Sequence, residues 1–343
     1  MIENSPFVSI LMPIRNECIY IERGLRAILV QDYPADRMEI LIVDGMSTDN
    51  TRAIIQSFCA RHPQLQIHLL YNHGKIVPTG MNIALRQAKG KVIIRVDGHT
   101  TIAHDYVCQC VEALQRTNAD NVGGRMNAVG SNAFGKAVAL ATSTPFGIGG
   151  GRFHYSDEEE WVDTVYMGAW PRRVFEKIGL FDEELVRNQD DEFNYRLRAR
   201  GGKILLSPKI KSEYTVRGSP SALWRQYYQY GFWKVRVLQK HPLQMSLRQF
   251  VPPAFVLALL GSALFALFPL SFVVPVLYLF ANLSASVSTA AIKGLKHLHY
   301  LPLVFAILHL SYGLGFLVGL VKFWNRWGDK TGRTPAWSGE IIG

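Results

Sequence analysis

Hydrophobic and polar positions change period in a regular way along the first hundred residues. Phe7 to Pro13 (FVSILMP) is a short apolar, β-rich run of the kind that fills a buried strand. After the polar Arg15-Asn16-Glu17 the apolar positions fall at Leu25, Ile28 and Leu29, a helical spacing. Glu39 to Val43 (EILIV) is a second buried-type strand ending at Asp44, and Ser47-Thr48-Asp49 can cap the helix that follows. A third strand, Gln66 to Leu70, a helix from about Thr79 to Ala88, and a fourth strand, Lys91 to Val96 ending at Asp97, repeat the rhythm. Strands alternating with helices predict a Rossmann-like α/β domain, a mainly parallel sheet with helices on both faces. In such open sheets ligands lie outside the carboxyl ends of the strands. Arg15, Glu17, Asp44, Asn72 and Asp97 all collect there.

Beyond Arg248 the charges almost vanish. Val251–Phe268, Ser271–Ala291 and Leu301–Val321 are apolar and long enough, or nearly so, to cross a hydrocarbon core of about 30 Å. Only Pro269 and Leu270 separate the first two, which predicts a tight hairpin or a partly re-entrant arrangement. Between the two regimes, Leu223 to Phe250 mixes Trp224, Tyr227, Tyr228, Tyr230, Phe232 and Trp233 with Arg225, Lys234 and Arg236. That mixture reads either as a helix lying in a membrane interface or as an amphipathic helix packed on the polar domain. The expected division is therefore 1–220 for the α/β domain, 221–249 for the interfacial segment, 250–323 for the membrane helices and 324–343 for a basic tail.

The formal net charge of +10 over 343 residues suits nucleic acid, anionic lipid or a phosphorylated ligand. Its placement decides. Lys203, Lys209, Lys211, Arg217, Arg225, Lys234, Arg236, Lys240 and Arg248 crowd the approach to the apolar segments, where an anionic leaflet attracts each by about 1 kcal/mol. A membrane, and not nucleic acid, is the expected partner. Cys18, Cys59, Cys108 and Cys110 lack the spacing of a zinc site and are expected to be reduced. MIENSPFVSI lacks the basic and apolar regions of a signal peptide, so the polar domain is expected in the cytoplasm and the chain in the inner membrane. The loop with Lys293 and Lys296 and the tail with Lys322, Arg326, Lys330 and Arg333 both prefer the cytoplasm, which an odd number of full spans cannot satisfy.

Three groups of residues carry candidate chemistry. Asp44 ends a strand beside Gly45, with Asp49 following; their carboxylates can accept from a bound ligand, or act as turn former and helix cap. Asp97-Gly98-His99 follows the fourth strand and offers a carboxylate and an imidazole across a glycine, a set suited to manganese or magnesium. Arg95, just before it, can pair with phosphate or with a neighbouring carboxylate. Asn188-Gln189-Asp190-Asp191-Glu192 opens a helix, either as a general base poised at its N-terminus or as ordinary acidic enrichment of a first turn. Pro13 to Cys18 contains no glycine, which excludes the dinucleotide fingerprint of nicotinamide enzymes.

In order along the chain these motifs resemble family 2 glycosyltransferases of the GT-A fold. The resemblance rests on Pro13-Ile14-Arg15-Asn16-Glu17, Val43-Asp44-Gly45 with Ser47-Thr48-Asp49, Thr79-Gly80-Met81-Asn82, Arg95-Val96-Asp97-Gly98-His99, and Asp190-Asp191 with Arg196. It runs from Pro6 to about Lys240 and is nearest to the succinoglycan biosynthesis ExoA-type branch. It implies an inverting transfer from a nucleoside diphosphate sugar, a UDP-sugar, to a lipid-linked sugar acceptor of polyprenyl diphosphate type in exopolysaccharide or glycan biosynthesis. Asp44 is then placed at the nucleobase, Asp97 and His99 at a divalent cation (Mn2+ or Mg2+) on the diphosphate, and Asp190, with Asp191 as its substitute, at the acceptor hydroxyl. Asp190 is preferred because Arg196 follows it by the family's six positions. Pro13, Arg15, Glu17, Asp49, Asn82 and Arg95 join Asp44 and Asp97 as nucleotide-sugar contacts. His99 replaces the second aspartate of the family's Asp-x-Asp. The Gln-x-x-Arg-Trp pattern of processive synthases is absent near Gln226, which disfavours repeated addition. Transfer onto a finished glycolipid or a polyprenyl phosphate is the remaining alternative.

Overall fold

A computed structural model describes residues 5–329 and 334–337. They form two compact units, one of residues 5–127, 156–214 and 334–337 and the other of 128–155 and 215–329.

The first unit is built on a mixed sheet. Strands β1 (Val8–Ile14), β2 (Met38–Asp44), β3 (Gln66–Tyr71) and β4 (Val92–Arg95) pair in parallel in the order β3-β2-β1-β4. Their bounds lie close to those read from the apolar runs. β1 and β2 are buried on both faces, so they read as continuous apolar stretches rather than alternating ones. Helices Ile21–Leu29, Thr51–Arg61 and Val77–Gln87 are the crossovers that parallel pairing requires.

The other half of the sheet departs from the parallel pattern. β5 (Thr100–Ile102), β6 (Asn121–Val129), β7 (Glu160–Trp161), β8 (Tyr166–Pro171) and β9 (Ile204–Thr215) extend it in the order β4-β8-β6-β9-β5, with β7 on β9. The pairs β4-β8, β6-β8, β5-β9 and β7-β9 are antiparallel. None of these strands is announced by a clean apolar run. β6 carries Gly123-Gly124, and a side chain at Gly124 would fall 1.6 Å from the carbonyl oxygen of Ile210, so the glycine is what lets β6 meet β9. In β8, Gly168 adopts φ 96°, open to glycine alone at little cost. Lys209 and Lys211 lie exposed along β9, on a strand face rather than on the approach to the apolar helices.

An aromatic cluster seats the helix Gln189–Ala199. Trp170, Phe175, Phe181 and Phe193 are almost fully buried, with ring centroids 4.6–6.3 Å apart. Each such ring contributes roughly 1.5–3 kcal/mol of burial, plus about 0.5–1.5 kcal/mol per aromatic pair. Arg196 locks the helix to the preceding loop: it pairs with Glu192 at 2.6 Å and donates to the carbonyls of Ile178 and Leu180, both at 2.8 Å. The backbone N–H of Leu180 donates in turn to the carbonyl of Pro335 at 3.0 Å, and Arg172 lies 5.4 Å from the ring of Trp337. A segment that follows the apolar helices thus returns to the α/β unit.

Among the described residues the second unit contains three helices long and apolar enough to cross a membrane, Leu247–Leu264, Pro269–Lys293 and Leu295–Lys322. The first α-helix ends at Leu264, short of the expected Phe268. Phe268 precedes Pro269, which disfavours helical backbone there, and the chain reverses through a 3-10 turn at Pro269–Phe272. Helix Pro220–Lys240, from the aromatic segment, packs along helix Leu301–Lys322. A side chain at Gly231 would come 2.0 Å from the carbonyl oxygen of Tyr312, and one at Gly315 2.1 Å from that of Tyr228. Small residues let the two backbones touch. That packing overturns the expectation of outward-facing cations: Lys234, Arg236 and Lys240 are buried, and Arg236 donates to Gln239 at 2.5 Å, reaches Asp329 at 3.5 Å and stands 5.8 Å from the Phe323 ring. Lys330 and Arg333, with half of the expected basic tail, lie outside the described residues.

Candidate active site

The carboxyl ends of β1, β2 and β4 and the N-terminus of helix Gln189–Ala199 supply the candidate residues. The loops after β1 and β2 are stitched together. Asn16 N donates to the Ser47 hydroxyl (2.8 Å), Glu17 N to the Thr51 hydroxyl (2.8 Å) and Cys18 N to Asp49 (3.2 Å). Three residues in these rim segments adopt left-handed backbone without being glycine: Asn16 (φ 55°), Met46 (φ 58°) and Asn188 (φ 63°). Such conformations cost on the order of 1–3 kcal/mol each and persist where the surroundings over-determine them.

Arg95 joins two of the candidate carboxylates. It is the last residue of β4 and 5% exposed. Its Nε donates to Asp97 Oδ1 at 2.7 Å and its Nη1 to Asp190 Oδ1 at 2.5 Å. The two acids feel opposite fields. For Asp97, burial works against ionisation, yet Arg95, then His99 in its protonated form, and Arg187 hold the carboxyl below its ordinary range. For Asp190, burial pushes the carboxyl up; Arg95 opposes this, and the nearby negative charge of Asp97 adds to it. The two carboxyls are pushed in opposite directions, a pattern that acid–base sites use. Asp190 is set among protein atoms, but 35% of its side chain meets solvent, so a hydroxyl can reach it. Asp191, the neighbouring candidate, lies outside this pairing.

His99 is held from the other side. Its Nδ1 lies 3.1 Å from Glu17 Oε1, and its ring packs edge-on at 5.2 Å against Tyr214. In a neutral ring, a carboxylate at Nδ1 favours that nitrogen as the donor and Nε2 as the lone pair. This is the pairing that orients metal-bound histidines. Among the described residues no three His, Cys, Asp or Glu side chains converge to hold a metal unaided. Asp97 and His99 fit instead a cation that takes its remaining ligands from phosphate oxygens and water, the usual arrangement for divalent ions on nucleotides.

Other expected contacts are placed differently. Asp44 is fully buried; its oxygens accept from Ser47 N (3.1 and 3.2 Å) and pair with Arg52 at 3.2 Å, the turn-forming alternative left open by the sequence. Asp49 accepts from Thr51 N at 3.0 Å and from the Thr51 hydroxyl. Partial burial opposes its charge, and the hydrogen bonds from Thr51 and Cys18 outweigh that and lower its pKa to about 2. Asp49 is therefore a brace at the start of helix Thr51–Arg61. The Asn82 amide is engaged inside the fold, donating to Phe181 O and Glu183 Oε1 and accepting from Phe181 N, all at 2.9 Å. It secures the loop ahead of helix Gln189–Ala199. Glu17 and Arg95, expected at the nucleotide, are engaged with His99 and with the two acids. Pro13 lies in β1 opposite Val43, and Arg15 stays exposed beside Gly45. Arg52 and Arg187, which sequence reasoning did not single out, act on Asp44 and Asp97; neither stands in a recognisable motif.

The comparisons agree with this architecture. The pattern of "Glycosyl transferase family 2" matches residues 9–179. A dolichyl N-acetyl-α-D-glucosaminyl phosphate 3-β-D-2,3-diacetamido-2,3-dideoxy-β-D-glucuronosyltransferase of Methanococcus voltae is 29% identical over 323 residues, covering 92% of this chain and 98% of that protein. The succinoglycan biosynthesis protein ExoA of Rhizobium meliloti is 29% identical over 320 residues, covering 92% of this chain and 96% of the relative. Among solved structures, the mannosyltransferase PcManGT of Pyrobaculum calidifontis, in complex with GDP-Man and Mn2+, superposes with a TM-score of 0.59 at 19% identity, over 90% of this chain and 88% of the other.

Proposed function

Because this chain belongs to glycosyl transferase family 2 and is a glycosyltransferase of GT-A fold, we propose that it transfers a sugar with inversion from a nucleoside diphosphate sugar to a lipid-linked sugar, at a membrane that its three apolar helices enter. The observation that carries the reading is the shared guanidinium: one buried arginine holds a carboxylate suited to a cation and a second suited to a proton. The relative from Methanococcus voltae, whose name specifies a dolichyl-linked sugar phosphate, supports the acceptor class. The long apolar helices on the same chain supply the place where such a lipid resides.

In this mechanism Asp97 and His99 would hold a divalent cation beside the donor's diphosphate. When bound, that cation supplies charge neutralisation for the leaving diphosphate. Glu17 keeps His99 in the tautomer that leaves Nε2 free. Asp190 accepts the proton of the acceptor hydroxyl as its oxygen attacks the anomeric carbon on the face opposite the diphosphate. The carbon–oxygen bond to the diphosphate breaks, and the leaving group departs with the electron pair. A single displacement of this kind inverts the anomeric centre.

The test uses the full chain in detergent. A panel of UDP- and GDP-sugars with Mn2+ is scored for thermal stabilisation, and the best donor is then offered a polyprenyl diphosphate sugar. A UDP-sugar is expected to stabilise the protein and to be consumed only with cation and acceptor present. Transfer that persists in excess chelator overturns the cation role, and transfer only to soluble sugars overturns the acceptor class.

A further inference from the structure

Arg95 is a charged residue on a central strand, flanked by β1 and β8, and it is nearly inaccessible. A buried guanidinium is costly unless it is neutralised and hydrogen-bonded. Here two different edges of the group are used by two acids from distant parts of the chain: Nε by Asp97, two residues on, and Nη1 by Asp190, 95 positions on. A planar guanidinium fixes the directions of its N–H bonds, so anything held on both edges is held at one mutual distance and angle. Asp190 offers Oδ1 to Arg95, and its Oδ2, which among the described residues takes a 3.3 Å contact from Gln189 Nε2, is the oxygen left for a substrate. Asp97 likewise offers Oδ1 and keeps Oδ2.

We propose that Arg95 is a positioning residue that sets the distance between the proton acceptor and the cation-binding carboxylate, rather than a ligand of the donor's diphosphate. The inference rests on the reading of Asp190 as base and adds to it the reason that the base faces the reacting carbon. A donor bound through Asp97 is then aligned with Asp190 through a single rigid group, and small misplacements there are expensive in rate. A lysine at the same position is a point charge on a flexible stem and cannot keep two carboxylates in a fixed relation.

The experiment compares the parent with R95K, R95Q, D190N and the double variants R95K/D190N and R95Q/D190N. It measures donor affinity with Mn2+ by calorimetry, kcat and KM for transfer, and the unfolding temperature. R95K is expected to bind donor within about threefold of the parent and to lose about 100-fold in kcat, on the scale of a misplaced catalytic group. Once Asp190 is replaced, the Arg95 substitutions are expected to add little, because they act through it. A tenfold loss of donor affinity with kcat unchanged makes Arg95 a diphosphate ligand and overturns the proposal; so do losses that multiply in the double variants, or an R95K protein as fast as the parent. Should R95Q not fold, the cycle with R95K carries the same comparison. D190N at parental rate would instead remove the base reading, and the positioning role with it, whereas an inactive D190N with multiplying losses removes only the latter.

Discussion

Glu17 Oε1 lies 3.1 Å from His99 Nδ1, so the loop after the first strand sets a carboxylate against one ring nitrogen of a histidine 82 positions later. In the proposed mechanism the contact gives a role to the departure from an Asp-x-Asp pattern: a neutral imidazole can act as a ligand once a carboxylate holds its other nitrogen.

Removal of that carboxylate is expected to weaken the cation. Glu17→Ala should lower Mn2+ affinity in the presence of a nucleoside diphosphate by about 10–100-fold, the usual cost of losing an orienting partner. Manganese paramagnetic resonance reads free and bound ion directly, without turnover. An unchanged binding isotherm for the variant would leave His99 to orient itself.

Asp190→Asn should keep donor binding and lose about 10²–10⁴-fold in transfer, the contribution of a positioned proton acceptor. The parent's pH profile follows from the raised carboxyl. A base must be deprotonated to act, so the rate falls as pH drops through a pKa above that of an ordinary aspartate. Saturating cation neutralises Asp97, removes one of the charges that raise Asp190, and should move the acid limb to lower pH. A limb that does not respond to cation concentration argues against this coupling.

Asp44 is expected to reveal itself through stability. Asp44→Ala strands the buried Ser47 N–H, a loss on the order of 2 kcal/mol. A fall of about 5 °C or more in unfolding temperature, measured without nucleotide, is the expected outcome. Parental stability combined with lost donor affinity would assign the carboxylate to the nucleoside alone.

Gly315→Leu should separate helix Leu301–Lys322 from helix Pro220–Lys240, because the new side chain would meet backbone 2.1 Å away. The expected result is loss of a monodisperse protein in detergent, read by size-exclusion chromatography. Normal elution and stability would show that the two helices can accommodate a gap between their backbones.

The parallel half of the fold was legible because strands buried on both faces are continuous apolar runs, and β1, β2 and β4 are such runs. The antiparallel half was not. Gly123-Gly124, Gly168 and a proline in β9 interrupt the patterns that mark strands, since close backbone approach selects residues without side chains. At the site, residue types were readable and their partners were not. Asp97, His99 and Asp190 stood out by position after a strand or ahead of a helix. That Asn82 is spent on Phe181, or that Arg95 serves two acids, depends on contacts across about a hundred residues. Lys234, Arg236 and Lys240 show the reverse: cations near an apolar segment suggest a membrane-facing surface, and helix packing turns them inward.

The hydrogen bond from Leu180 to Pro335 has a bearing on how the molecule is made. Leu180 gives its carbonyl to Arg196, so a piece of chain emerging after all three apolar helices closes against the loop that steadies the helix carrying Asp190. During synthesis the α/β unit receives this last seal only when those helices have already left the ribosome. A fragment that stops ahead of them would retain every candidate catalytic residue and still lack one strap of its scaffold.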